Sequence, residues 1–132
     1  MIDPNDVPDI ASDETHARYI FSSGYVRGDN SVKGDAFLPP PDLQMSVNRH
    51  LLSNETEIWF IGERIAVARN KSLRGRADIG TKACRDQSLD VVAAPIDGNP
   101  NHAHVVSWPS DKPARKLIAQ EIAATARFLP RP

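Results

Sequence analysis

The spacing of hydrophobic residues changes along the chain, and each change marks an element. LQMSVNRH alternates Leu43, Met45 and Val47 with Gln44, Ser46 and Asn48. A period of two predicts a half-buried strand there. From 54 to 69 the period lengthens. Ile58, Ile61, Ile65 and Ala68 fall at i, i+3, i+7 and i+10, with Trp59 and Ala66 flanking them. That is one stripe of an α-helix. Asn54 and Glu57 have the spacing of a capping box, and Ser53 is an alternative cap.

The other segments follow the same logic. In HARYIFSS, Tyr19, Ile20 and Phe21 are adjacent; a run this short fits a buried strand or a short helix. GYVRGDNSVKGDAF is rich in Gly, Asp and Asn and predicts a turn followed by an extended segment. A second helix is expected from Asp78 to about Ser88, with Ile79 and Ala83 inward. LDVVAAP predicts a buried strand, PIDGNPN a loop, and HAHVVSW a strand antiparallel to the preceding one. The last helix is expected from Asp111 to Phe128. Asp111 and Pro113 suit its first turn, and Ala114, Leu117, Ile118, Ile122 and Ala126 form its inward stripe. Prolines punctuate the chain at 39–41, 95, 100, 109, 130 and 132, where a missing N–H favours loops and boundaries. The order of elements predicts an α+β fold: a small mixed or antiparallel sheet packed with two or three helices. A doubly wound nucleotide-binding fold needs more βαβ units than this chain has.

Composition narrows the class further. The chain has 132 residues, enough for one core and short for two domains. Hydrophobic residues make up 40% and charged residues 25%, with a net charge of −1. A histone-like basic protein and an acidic nucleic-acid mimic are both excluded. A single cysteine, Cys84, excludes an internal disulfide and a cysteine-based zinc cluster. It lies mid-helix in this reading, as a small buried hydrophobe or, with Lys82 and Arg85 beside it, a nucleophile. Trp59 and Trp108 are expected as core anchors. No apolar run reaches membrane-spanning length, and the acidic start lacks the features of a signal peptide, so a cytoplasmic domain without membrane contact is expected. Residues 1–14 carry five acids and no base, predicting a flexible tail before a globular domain at 15–130.

RYIFSS, then VKGDAFLPPPDLQMSVNR, EIWFIGERIA, GRADI, LDVVAAP and NPNHAHVVSWPSDKPARKLIAQEIA, form an ordered run of blocks. In this order the chain resembles a group of small uncharacterised bacterial proteins over residues 16 to 126. The resemblance implies a bacterial, cytoplasmic origin and carries no activity with it.

Three constellations could carry chemistry. His102 and His104 lie two apart in a predicted strand, hence on one face and about 6.5–7 Å apart along it. Such a pair can bind phosphate, act as general acid and base, or begin a metal site. A metal would need a third ligand from His16, His50, Asp97 or Glu63, none at a motif spacing; no metal and no cofactor is therefore expected. The simpler reading bonds both rings to loop carbonyls. The second constellation is SVNRH, where Arg49 offers an anion a planar fork of donors, or pairs with an acid such as Asp42. The third is a run of charge. From Arg64 to Arg85 there are seven bases (Arg64, Arg69, Lys71, Arg74, Arg76, Lys82 and Arg85) against one acid, Asp78. A local charge of +6 on a neutral chain suggests a patch for nucleic acid, a nucleotide or an acidic protein, centred on Arg69, Lys71, Arg74 and Arg76. The simpler reading is a solubilising loop.

Two functions from different classes follow. One is an accessory or interaction module that holds an anionic partner on the basic surface. The other is a small enzyme acting on a phosphate-containing substrate, with Arg49 as anion anchor and His102 or His104 as general acid/base. Self-association into a homodimer through a sheet edge ranks third. Convergence of Arg18, Arg49, His102 and His104 in one cleft would favour the enzyme; a flat exposed face of Arg69, Lys71, Arg74 and Arg76 would favour the module.

Overall fold

In a computed structural model covering residues 1–132, six strands form one sheet with three helices on its two faces. The strands are β1 (Thr15–Ile20), β2 (Met45–Arg49), β3 (Gly75–Gly80), β4 (Asp90–Ala93), β5 (His102–Val106) and β6 (Arg127–Pro130). Their order in the sheet is β4-β5-β2-β1-β3-β6, and every neighbouring pair is antiparallel. The helices are α1 (Glu55–Ala68), α2 (Thr81–Asp86) and α3 (Lys112–Thr125). This is the expected α+β class, with the sheet purely antiparallel.

Alternation along the strands divides the core in two. One face carries Ile20, Met45, Val47, Ala77, Val91 and Val105 against Phe37 and the Ala119–Ile122–Ala123 stripe of α3. Each fully buried Ile, Val, Met or Phe side chain there contributes about 1.5–3 kcal/mol. The other face is narrower: Ala17 and Tyr19 of β1 pack on Ile58, Ile61 and Ala66 of α1, with Leu73. That helix begins as its sequence implies, because Asn54 accepts from the Glu57 N–H at 2.8 Å while Glu57 accepts from the Asn54 N–H at 3.2 Å. Gly62 lets α1 approach the sheet closely; a Cβ there would sit 2.6 Å from the Tyr19 ring. Gly62→Ala is therefore expected to destabilise by roughly 1–2 kcal/mol, overpacking outweighing alanine's better helix propensity. Thermal unfolding followed by circular dichroism measures this; a stabilised variant would contradict the tight contact.

Four expectations change. Asp78 and Ile79 belong to a strand, not to the second helix, because GRADIG pairs with β1 along its whole length, from Thr15–Gly80 to Ile20–Gly75. The helix starts only at Thr81. The last helix stops at Thr125, and Arg127–Pro130 pairs with β3 as an edge strand. Leu117, expected inward on α3, is 65% exposed. Finally, the acidic start is not free of the domain. Ile2 is 2% exposed, its N–H donates to Asn101 Oδ1 at 3.0 Å, and Ile10 packs against the main core. Two apolar side chains and the Glu14 carboxylate tie the segment down in spite of its charge.

Candidate functional site

The ladder between β1 and β2 is short. It registers His16 with Arg49 and Ala17 with Asn48. At the next residue of β1, the Arg18 side chain supplies donors instead: Nη1 donates to the Ser46 carbonyl at 2.8 Å and Nε to the Ala36 carbonyl at 3.0 Å. Arg18 thereby lines a cavity of about 220 Å³ with Ser46, Asn48, Arg69, Asn99 and His102. Tyr19, Phe21, Ile65, Ala68 and Ile96 form its apolar walls.

Strand register brings the polar residues together. Directly opposed residues of an antiparallel pair share a face. Asn48 faces His102 and Ser46 faces His104 across β2 and β5, and Asn48 also opposes Ala17, on the α1 side of the sheet. The turn before β5 supplies the rim. An isolated Ile96–Asn99 bridge closes it, Gly98 adopts φ +76°, and Arg64 of α1 donates to the Gly98 carbonyl at 3.2 Å. A side chain at position 98 would meet that guanidinium at 3.1 Å, so glycine suits both the backbone and the contact. Asn99 Nδ2 donates to Asn48 Oδ1 at 2.6 Å, and Asn99 Oδ1 is buried with no partner.

The electrostatics are uneven. Neither Arg18 nor Arg69 takes part in any of the chain's ion pairs. Burial, reinforced by the charge of Arg69, lowers the pKa of Arg18 to about 10, so it stays cationic at neutral pH. The Arg69 guanidinium lies 5.7 Å from the Phe21 ring centroid. His102 Nδ1 is 2.8 Å from the Ala94 carbonyl. A carbonyl only accepts, so Nδ1 carries the proton and the neutral ring keeps its lone pair on Nε2. Burial holds the His102 pKa below the ordinary histidine value; the Ala94 hydrogen bond opposes this, and His104 and Arg69 add to it. His104 stands edge-on to His102, ring centroids 4.8 Å apart.

Other expected site residues lie elsewhere. Arg49 is 1% exposed and committed: Nε and Nη2 each reach Glu14 at 2.7 Å, and Nη1 and Nη2 donate to the Pro8 and Asp9 carbonyls. Its acid comes from the N-terminal segment, not from Asp42, and it cannot serve as the expected anion anchor. Arg76 is likewise 1% exposed, bonded to Glu55 and Asp78 and stacked over Trp59 at 4.8 Å. As a strand residue facing α1 it is no part of an open basic face. Lys82 pairs with Asp86 and Arg85 with Asp90. Arg69, Lys71 and Arg74 are exposed. The +6 run is thus divided among buried pairs, surface pairs and a few free cations.

Of the proposed metal partners, His16 is buried beside Thr81 Oγ1 at 2.7 Å, His50 bonds Asp78 at 3.1 Å, and Glu63 pairs with Arg131. No group of three or more His, Cys, Asp or Glu side chains is arranged to hold a metal ion. Cys84 is buried, and burial pushes its thiol up to about 12, far from a nucleophile's range. Trp108 is a core residue whose Nε1 donates to the Val105 carbonyl at 3.1 Å. No helix is long and apolar enough to cross a membrane. No family model, curated protein or solved structure matches the chain.

Proposed function

We propose that the protein binds a small anion in the cleft between β1, β2, β5 and α1, with Arg18 as the main anchor and Arg69 as the second. One observation carries this reading. The two arginines that are 1% exposed, Arg49 and Arg76, each have a carboxylate, whereas Arg18, partly buried and lining the cavity, has only carbonyl oxygens. A cation partly withdrawn from water without a counter-charge is stabilised by an anion entering from solvent. The cleft is half apolar, which favours a small organic molecule with a carboxylate, sulfate or phosphate group over an extended polyanion. The division of the basic run, with Arg76 internal, also supports a small ligand over a nucleic-acid face.

The direct test is a titration of the ¹⁵N-labelled chain with sulfate. Saturable shifts at Arg18, Asn48, Arg69 and His102 are expected, and their loss in Arg18→Met. Sulfate does not titrate near neutral pH, so it also isolates His102. Below its depressed pKa this ring gains a proton and adds a third cation to the cleft. Affinity for sulfate is expected to rise about tenfold as pH falls through that pKa, the worth of one charge-assisted hydrogen bond. His102→Gln should abolish that dependence; an unchanged slope in the variant would assign it to another group.

The second reading, an enzyme acting on an anionic or phosphate-containing substrate, is favoured by the free Nε2 of His102. A neutral imidazole with a fixed tautomer beside two cations is the arrangement of a general base next to a bound anion. His102 would then accept a proton from the ligand held by Arg18.

A further inference from the structure

We infer that the ligand of this cleft is a medium-chain carboxylic acid, its carboxylate on Arg18 and Arg69 and its alkyl chain laid along α1. The inference rests on the anion-binding reading and adds the substance class. A second cavity of about 160 Å³ adjoins the first and shares Ile65, Ala68, Ile96 and Asn99 with it. Together they form one groove.

The groove floor on α1 is Ile61, Ile65 and Ala68, spaced i, i+4 and i+7. These residues lie on one helix stripe about 10 Å long, the reach of a medium alkyl chain. Ile96 forms the opposite wall and is 56% exposed, in a turn pinned to α1 by the Arg64–Gly98 hydrogen bond. A held turn that offers a large apolar side chain to a groove gives an alkyl chain surface to bury. The ends differ in charge. At the Arg18 end two guanidinium groups have no acidic partner. At the far end Asp97 and Arg64 stand together, so the charges there offset one another. A carboxylate is therefore drawn to the first end, which orients the molecule.

The test titrates the full-length chain with acetate, butanoate, hexanoate, octanoate and decanoate by isothermal calorimetry and ¹⁵N shifts. Kd is expected to fall two- to fourfold per methylene up to octanoate and then level off, fourfold being full burial at ~0.8 kcal/mol per methylene. Ile96→Ser should weaken octanoate several-fold more than acetate; the exposed site makes this variant safe for folding. Equal affinity for acetate and decanoate, or equal weakening of both by Ile96→Ser, overturns the chain assignment and leaves anion binding standing. Failure of sulfate and every carboxylate to bind overturns both.

Discussion

Arg49→Met is expected to cost about 3–5 kcal/mol of folding stability, the largest effect of any single substitution considered, because it removes one partner of a buried ion pair. The Arg49 side chain is fully buried, with two 2.7 Å contacts to Glu14 and further bonds to the Pro8 and Asp9 carbonyls. Methionine fills much of the volume and leaves the Glu14 carboxylate with only the Ala11 N–H, at 2.7 Å. It also releases the N-terminal segment, whose Ile2 and Ile10 contribute to packing. Domains of this size are stable by only about 5–15 kcal/mol, so the variant sits near the unfolding threshold. Equilibrium urea denaturation gives the number, and a loss below about 1 kcal/mol would contradict the role assigned to the pair. The pH dependence adds a signature. Burial raises the Glu14 pKa, but the Arg49 and Ala11 hydrogen bonds outweigh it and hold the carboxyl below its ordinary 4.5. A depressed folded-state pKa means stability present above the unfolded value and lost as pH falls through the folded one. Arg49→Met should remove this acid-side loss, since the unpaired carboxyl then gains by protonation.

The second large effect is on binding. Arg18→Met is expected to weaken sulfate or carboxylate binding by ten- to a hundredfold, or about 1.5–3 kcal/mol for a charge-assisted bond. Its cost in stability is expected to be smaller than that of Arg49→Met. The Ser46 and Ala36 carbonyls lose a donor, but a partly buried cation without a counter-charge is also removed. Arg18→Lys should be intermediate in affinity, because a point charge keeps the attraction and loses the planar fork. Arg76→Gln gives the opposite pattern: stability falls as Glu55 loses its partner and Asp78 keeps only His50, and anion affinity stays within twofold. If the two variants exchange behaviour, the assignment of Arg18 to the ligand and Arg76 to the framework is reversed.

Local signals carried well into the fold. The capping box at Asn54, the start of the helical stripe at Ile58 and Ile61 and the alternation from Met45 to Val47 act within a few residues, and each is found in place, although the stripe ends on Ala66 and leaves Ala68 exposed. Asp111 caps the last helix by accepting from Ala114 N–H at 2.9 Å. What escaped was decided by distant partners. GRADIG becomes a strand because β1 lies beside it, and Arg127–Pro130 because β3 offers an edge. The N-terminal acids looked solvated because nothing nearby in sequence neutralises Glu14; Arg49 does so 35 residues away. The same limit applied to the site. His102 stood out by spacing and Arg69 by its charge run. Arg18, one base inside ARYIF, has no local mark of its lack of a carboxylate, and Asn99 is one polar loop residue among several. Arg76 looked like part of a surface patch until strand alternation turned it toward Glu55 and Trp59.

The most direct test is the affinity of the full-length chain for sulfate, measured by calorimetry at low ionic strength for the native sequence and for Arg18→Met side by side. One saturable site in the native chain, weakened at least tenfold in the variant while both unfold cooperatively, is the predicted result. Equal binding by the two, or no saturable site in either, would contradict it.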